Sequence, residues 1–240
     1  GRDWSSDVCS SDLGSTLRDA AGNSANLSLS GHRPAVSNLK IDGIAPTLDG
    51  LIGVPVNGVY GVGKVLTFSV PLSKSVTLDL SAGAPALVLT VGSESRDAVY
   101  NGAASTPTSL VFNYTVQAGD ADANGIGLSH LDLRGAVVTD GSGNALNVSL
   151  AGHLPSSAGV LIDTTDPVVT SVNVPAIGVY AAGQALEFTV NFDEHVVADT
   201  TGGTPRLALT VGSEAVYADY VSGSGSSALV FRTTVADGWS

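Results

Sequence analysis

Methionine is absent from the 240 residues, cysteine occurs once, tryptophan twice, and aromatic residues make up only 5%. A single cysteine excludes an internal disulfide framework, so nothing covalent staples the fold. Basic residues are scarce too: 10 Lys and Arg stand against 22 Asp and Glu, a formal net charge of −12. An acidic surface of this kind repels nucleic-acid phosphate and anionic lipid, which argues against both as partners. No apolar run approaches the ~20 residues needed to span a bilayer, so no membrane insertion is expected, and no segment reads as a signal peptide. Metal-type His/Cys clusters, Ser-His-Asp spacing and phosphate-cradling glycine loops are missing as well, and no enzymatic activity is expected.

What remains is 43% hydrophobic, only 13% charged and rich in glycine, with 29 residues. That composition suits a packed core of small β-branched side chains joined by many turns, and it does not suit disorder. Residues 1–13 read differently from the rest. Asp3 to Leu13, DWSSDVCSSDL, resembles the translation of a short-read sequencing adapter, and is set aside as non-native before any reading of the fold. One basic and three acidic residues go with it, leaving 9 against 19, a net −10. Cys9 and Trp4 go too, so residues 14–240 hold no cysteine and keep Trp239 as their one tryptophan.

Internal repetition sets the organisation. SVNVPAIGVY at 171–180 matches LIGVPVNGVY at 51–60, an offset of 120. Gly63, Leu66, Phe68 and Val70 recur as Gly183, Leu186, Phe188 and Val190, and TPRLALTVGSE at 204–214 repeats APALVLTVGSE at 84–94. GSTLRDAAGNSANLSLSGH at 14–32 matches GAVVTDGSGNALNVSLAGH at 135–153, and IDGIAP at 41–46 matches IDTTDP at 162–167, both at an offset of 121. The chain therefore divides into the C-terminal part of one repeat (14–44), a complete repeat (45–165) and the N-terminal part of a third (166–240). Apolar residues alternate at Leu66/Phe68/Val70, Val76/Leu78/Leu80, Leu87/Leu89/Val91 and Leu110/Phe112/Tyr114/Val116, the pattern of strands with one buried face. Asn57-Gly58, Asn101-Gly102, Asn124-Gly125 and Asp140-Gly141 punctuate the runs. A unit of about 120 residues with seven to nine short strands predicts an all-β, two-sheet sandwich.

The stretch DTTDPVVTSVNVPAIGVYAAGQALEFTVNFDEHVVADTTGGTPRLALTVGS, with TVQAGDADANGIGL, resembles the immunoglobulin-like repeats of very large bacterial surface proteins and type I-secreted adhesins. The resemblance covers essentially all of residues 14–240. It implies tandem immunoglobulin-like sandwiches forming an extracellular or cell-surface rod, often stiffened by calcium, whose partners are the neighbouring repeats and which holds a terminal binding module away from the cell.

Two places are candidates for that calcium. Asp120-Ala-Asp122-Ala-Asn124-Gly125 sets oxygen ligands at alternate positions before a glycine turn, which suits a hard cation. Leu131 stands where an EF-hand needs a bidentate Glu, so ligands from another loop would be required; an acidic, glycine-closed hairpin without metal is the other reading. Asp163 and Asp166, in Asp163-Thr-Thr-Asp166-Pro167, lie at a junction between repeats, where proline stiffens the backbone and carboxylates could share an ion. A stiff linker without metal is the alternative there. Asp42 matches Asp163, and Ala45 stands where Asp166 is.

DAAGN and DGSGN, at Asp19 and Asp140, read as turns in which the Asp caps its own backbone. Asp193-Glu194-His195 reads as solvated loop charge, because Ser73-Lys74-Ser75 holds the same place in the complete repeat. His32 and His153 lack a nucleophile or second ligand nearby, and the N-x-S/T triplets at Asn26, Asn113 and Asn147 read as chance. The expected function is a structural spacer of an adhesin or biofilm protein. The alternative is a ligand- or carbohydrate-binding module of a secreted enzyme, which would show an aromatic platform among Tyr60, Tyr100, Tyr114, Tyr180, Tyr217 and Tyr220. Unpaired edges in 14–44 and 166–240 are expected to promote self-association, with 45–165 alone monomeric.

Overall fold

The computed structural model describes residues 16–27 and 38–239; the adapter-like segment lies outside them. The chain is all-β, with fifteen strands and no helix among the described residues, and so no helix long and apolar enough to cross a membrane.

Residues 58–163 form a β-sandwich. One layer is an antiparallel sheet of β2 (Val65–Pro71), β6 (Ser109–Thr115), β5 (Glu94–Tyr100), β4 (Ala86–Val91) and β8 (Gly127–Asp132), in that spatial order. The facing layer comes in two pieces. In one, β10 (Val160–Asp163) lies between β1 (Gly58–Tyr60), to which it is parallel, and β7 (Ala121–Asp122). In the other, β3 (Val76–Asp79) pairs with β9 (Val137–Asp140). The unit therefore has ten strands, one more than the upper expectation, because β1 and β7 are too short to leave a period in the sequence.

The alternation seen in the sequence becomes the core. Leu66, Phe68, Val70, Leu87, Leu89, Val91, Leu110, Phe112, Tyr114 and Val116 are all buried and share one cluster with Val76, Val138, Val160 and Ile162 of the facing layer. Tyr100 meets Phe112 edge-on at 6.0 Å between ring centroids, a favoured geometry for aromatic pairs. Not every alternating run behaves this way: β3 stops at Asp79, so Leu80 is exposed and Leu78 only half-buried. β4 departs in the other direction, with Ala86 and Val88 buried as well as its inward face.

Residues 169–234 form a single antiparallel sheet in the order β11 (Val169–Asn173), β12 (Ala185–Val196), β15 (Ser226–Thr234), β14 (Glu214–Ser222) and β13 (Arg206–Val211). The hairpin of β13 and β14 has the register of the β4–β5 hairpin: Val211 faces Glu214 as Val91 faces Glu94. Both turn through a two-residue Gly-Ser loop whose glycine takes positive φ, 58° at Gly92 and 60° at Gly212, which suits the twist of a two-residue hairpin. The buried cluster of this sheet holds only Val190, Ala218, Leu229 and Phe231, with Phe188, Phe192, Leu207 and Leu209 half-buried.

Candidate functional site

The 120–125 loop links β6 to β7 and β8, and its two acids are turned inward. Asp120 is fully buried. Its Oδ1 accepts from Arg96 Nε at 2.8 Å, and its Oδ2 accepts from the Tyr114 hydroxyl and from the Gln117 backbone N–H at 2.8 Å. Burial would raise this carboxyl, but those three donors together hold it below its ordinary value. The Tyr114 hydroxyl, buried against the Asp120 carboxylate, is pushed up to about 12. Asp122 is buried too: Oδ1 accepts from the backbone N–H of Asn124 at 3.2 Å and Gly125 at 2.8 Å, and Oδ2 from Gly92 N–H at 2.8 Å. Asp122 thus closes its own turn and ties it to the β4–β5 hairpin, while Asn124 is exposed. In this arrangement the Asp120 charge is met by Arg96, and the Asp122 oxygens accept from three backbone N–H groups.

The pairing of Asp120 with Arg96 and Tyr114 was not read from the sequence, yet a signal for it exists. The matching positions after β13, in β15 and near its end are Val216, Thr233 and Trp239, so the three polar partners are replaced together. A buried carboxylate without its guanidinium would be costly, and joint replacement avoids that state.

The junctions are built on one plan with opposite charge. Asp42 caps Ile44 N–H at 3.1 Å, and Asp163 caps Thr165 N–H at 3.0 Å. The Ser73 hydroxyl accepts from Thr47 N–H at 3.0 Å and Ser73 N–H donates to Thr47 O. At the matching place the Asp193 carboxylate accepts from Val168 N–H at 2.8 Å and Asp193 N–H donates to Val168 O. In the first junction Lys74 fills the space between the acids. Its ammonium donates to both oxygens of Asp42 at 2.8 Å, to Ile44 O at 2.5 Å and to Asp140 Oδ2 at 3.3 Å. The Lys74 amine is raised, mainly by its bond to Asp42. Asp140 also closes the DGSGN turn, accepting from Ser142 and Asn144 N–H at 2.9 Å, and Asn144 Nδ2 reaches the Asp42 carbonyl at 3.1 Å. Asp19 makes the same turn with Ala21 and Asn23.

In the second junction Glu194 stands where Lys74 does. Burial, followed by the charges of Asp163, Asp193 and Asp166, raises its carboxyl above the ordinary value. Its Oε1 is buried with no hydrogen-bond partner. The loop reading of Asp193-Glu194-His195 is corrected here: the three lie within β12, with Asp193 and His195 exposed as expected and Glu194 half-buried, where it feels the charges of Asp163 and Asp166. Among the described residues no three His, Cys, Asp or Glu side chains form a group that would hold a metal ion as they stand, so the four acids are coupled electrostatically without closing on one point.

The two acidic loops are neighbours: the Thr164 hydroxyl accepts from Gly119 N–H at 3.1 Å and donates to Asp120 O at 2.8 Å, and Asp163 pairs with Ala121 across β10 and β7. Elsewhere, His153 Nδ1 donates to Gly50 O at 2.7 Å, and the Asn113 side-chain oxygen is buried in β6 without a partner. No family model matches the chain, and neither does any curated protein.

Proposed function

We propose that the chain is a segment of an extracellular bacterial spacer, a rod of tandem immunoglobulin-like sandwiches whose neighbouring repeats are locked by a cation at each junction. The reading rests on the charge reversal between two junctions of the same plan. At Asp42 the cation is the Lys74 ammonium; at Asp163 the acids of Asp163, Asp166 and Glu194, with the orphaned Glu194 Oε1, take a divalent cation, and calcium suits an all-oxygen donor set. A rod needs each angle between repeats held, and a cation shared by the linker and the following sheet supplies that without a disulfide. Of the six tyrosines, Tyr100, Tyr114 and Tyr220 pack in or against core clusters, the Tyr60 and Tyr180 hydroxyls donate to the carbonyls of Val56 and Ala176, and Tyr217 is exposed with Arg206 over its ring.

A thermal melt of the chain in calcium and in chelator tests this, since a ligand of the native state raises its midpoint. Calcium is expected to raise the midpoint of the wild type and of Asp122→Ala, and to leave Glu194→Lys unmoved, because the lysine supplies the charge internally. Identical melts of the wild type in both conditions would overturn the cation reading.

A further inference from the structure

Three Asn-Gly dipeptides, Asn57-Gly58, Asn101-Gly102 and Asn124-Gly125, punctuate the complete repeat. Each sets a side-chain amide beside a following backbone nitrogen that no Cβ shields. Such a pair closes on itself when the glycine nitrogen attacks Asn Cγ and the side-chain amide leaves as ammonia, the chemistry that makes asparagine thermolabile. What already holds that nitrogen governs the reaction, and the three sites differ there.

Gly58 N–H donates to Gly159 O at 2.8 Å, where β1 runs beside β10. The Asn57 side chain lies so close over Gly159 that a Cβ at Gly159 would collide with Asn57 Cγ. Gly125 N–H donates to Asp122 Oδ1 at 2.8 Å, and Gly125 is pressed against the backbone of Ser157 and Ala158. Attack requires the nitrogen to turn toward Cγ, which at both sites means giving up that bond. Gly102 differs: it is exposed in the turn between β5 and β6, and its N–H has no acceptor among the described residues.

At this site the electrophile is what the fold holds. Asn101 N–H donates to Val111 O at 2.8 Å, and Asn101 O accepts from Ser105 N–H at 3.1 Å and from the Ser105 hydroxyl at 2.8 Å. Asn101 Oδ1 accepts from Ala104 N–H at 3.2 Å. Negative charge builds on that oxygen when Cγ is attacked, and a donor already aimed at it stabilises the charge. A free nitrogen thus stands next to an anchored, polarised carbonyl.

We propose that Asn101 is a site of spontaneous modification, in which a bond forms from Gly102 N to Asn101 Cγ and the Cγ–Nδ2 bond breaks. The Gly102 N–H proton departs with the amide as ammonia, leaving a cyclic imide. Solvent water then opens the ring at either carbonyl, to aspartate or to isoaspartate. Each product adds one negative charge. Isoaspartate also lengthens the main chain of a turn that the Ser105 hydroxyl fastens to Val111 N–H at 2.8 Å. This is independent of the spacer reading, since no cation and no junction takes part.

The test incubates the folded 240-residue chain in mildly alkaline buffer and maps its peptides by mass. Asn101 is expected to convert about tenfold faster than Asn57 or Asn124, the difference that one retained hydrogen bond makes to a barrier, with aspartate and isoaspartate both formed. In unfolding urea, where those bonds are gone, the three are expected to convert at similar rates. Asp122→Ala frees Gly125 N–H and is expected to speed conversion of Asn124. Asn101→Gln, whose longer side chain closes the ring poorly, is expected to keep its amide. An unchanged Asn101, equal rates at the three sites in the folded chain, or a difference that persists in urea would each overturn the proposal.

Discussion

At the scale of single residues, the acids do structural work that their spacing alone does not reveal. D-x-D-x-N-G is a pattern that a calcium loop and a self-capped turn share, and what separates them is where the side chains find donors. Asp120 finds Arg96 and Tyr114, which are 24 and 6 residues away in sequence, and no local motif announces either. Asp120→Ala leaves Arg96 without its partner and is expected to destabilise the sandwich by about 3 kcal/mol, read from urea unfolding. Asp42, Asp120 and Asp140 are all held below the ordinary carboxyl value, the first by Lys74 and the last chiefly by Asn144. Their unfolded counterparts titrate near ~4, so they contribute stability above that pH which is lost as pH falls through the lowered folded values. Glu194 has the opposite sign: its raised carboxyl makes ionisation costly as pH rises from the unfolded value through the folded one. Unfolding free energy measured against pH is expected to show a flatter acid limb for Asp140→Asn, and Glu194→Gln more stable than wild type at neutral pH in chelator.

At the scale of strands and turns, most of the fold was legible, because period-two alternation and Gly-Ser turns are local properties. Leu66/Phe68/Val70 and Leu110/Phe112/Tyr114/Val116 are core strands as read. Two kinds of feature were not legible. Very short strands such as β7, with two residues, exist only through pairing with β10. The Asp193–His195 segment carries loop-like polarity but lies within β12, at an irregularity between the paired residues Asn191 and Val196. The β4–β5 turn offers a clean check of turn chemistry. Gly92 has positive φ, and a Cβ there would meet the Ala121 carbonyl oxygen at 2.5 Å, so Gly92→Ala is expected to cost about 2 kcal/mol from backbone strain and the displaced carbonyl. Gly141 has open space around its Cα, and Gly141→Ala is expected to stay within about 0.5 kcal/mol. Equal losses at both positions in denaturant melts would contradict this account of the turn.

At the scale of the whole molecule, the sequence carries its own comparison: two junctions of one plan, with Lys74 in the first and Glu194 in the second. In sequence those positions show only that the charge is not retained between repeats. Their meaning as alternative fillings of one acidic place needed the hydrogen bonds of Asp42, Ser73 and Asp193. Under the spacer reading, calcium governs the angle at the second junction and is irrelevant at the first. Glu194→Lys should make the second junction calcium-independent, and Lys74→Glu should make the first calcium-dependent. The direct measurement is small-angle scattering of the 240-residue chain in calcium and in chelator, with and without Glu194→Lys. The account predicts that calcium lengthens and narrows the distribution of interatomic distances for Glu194 and that Glu194→Lys shows the long, narrow distribution in both conditions. A distribution indifferent to calcium in both proteins would contradict it.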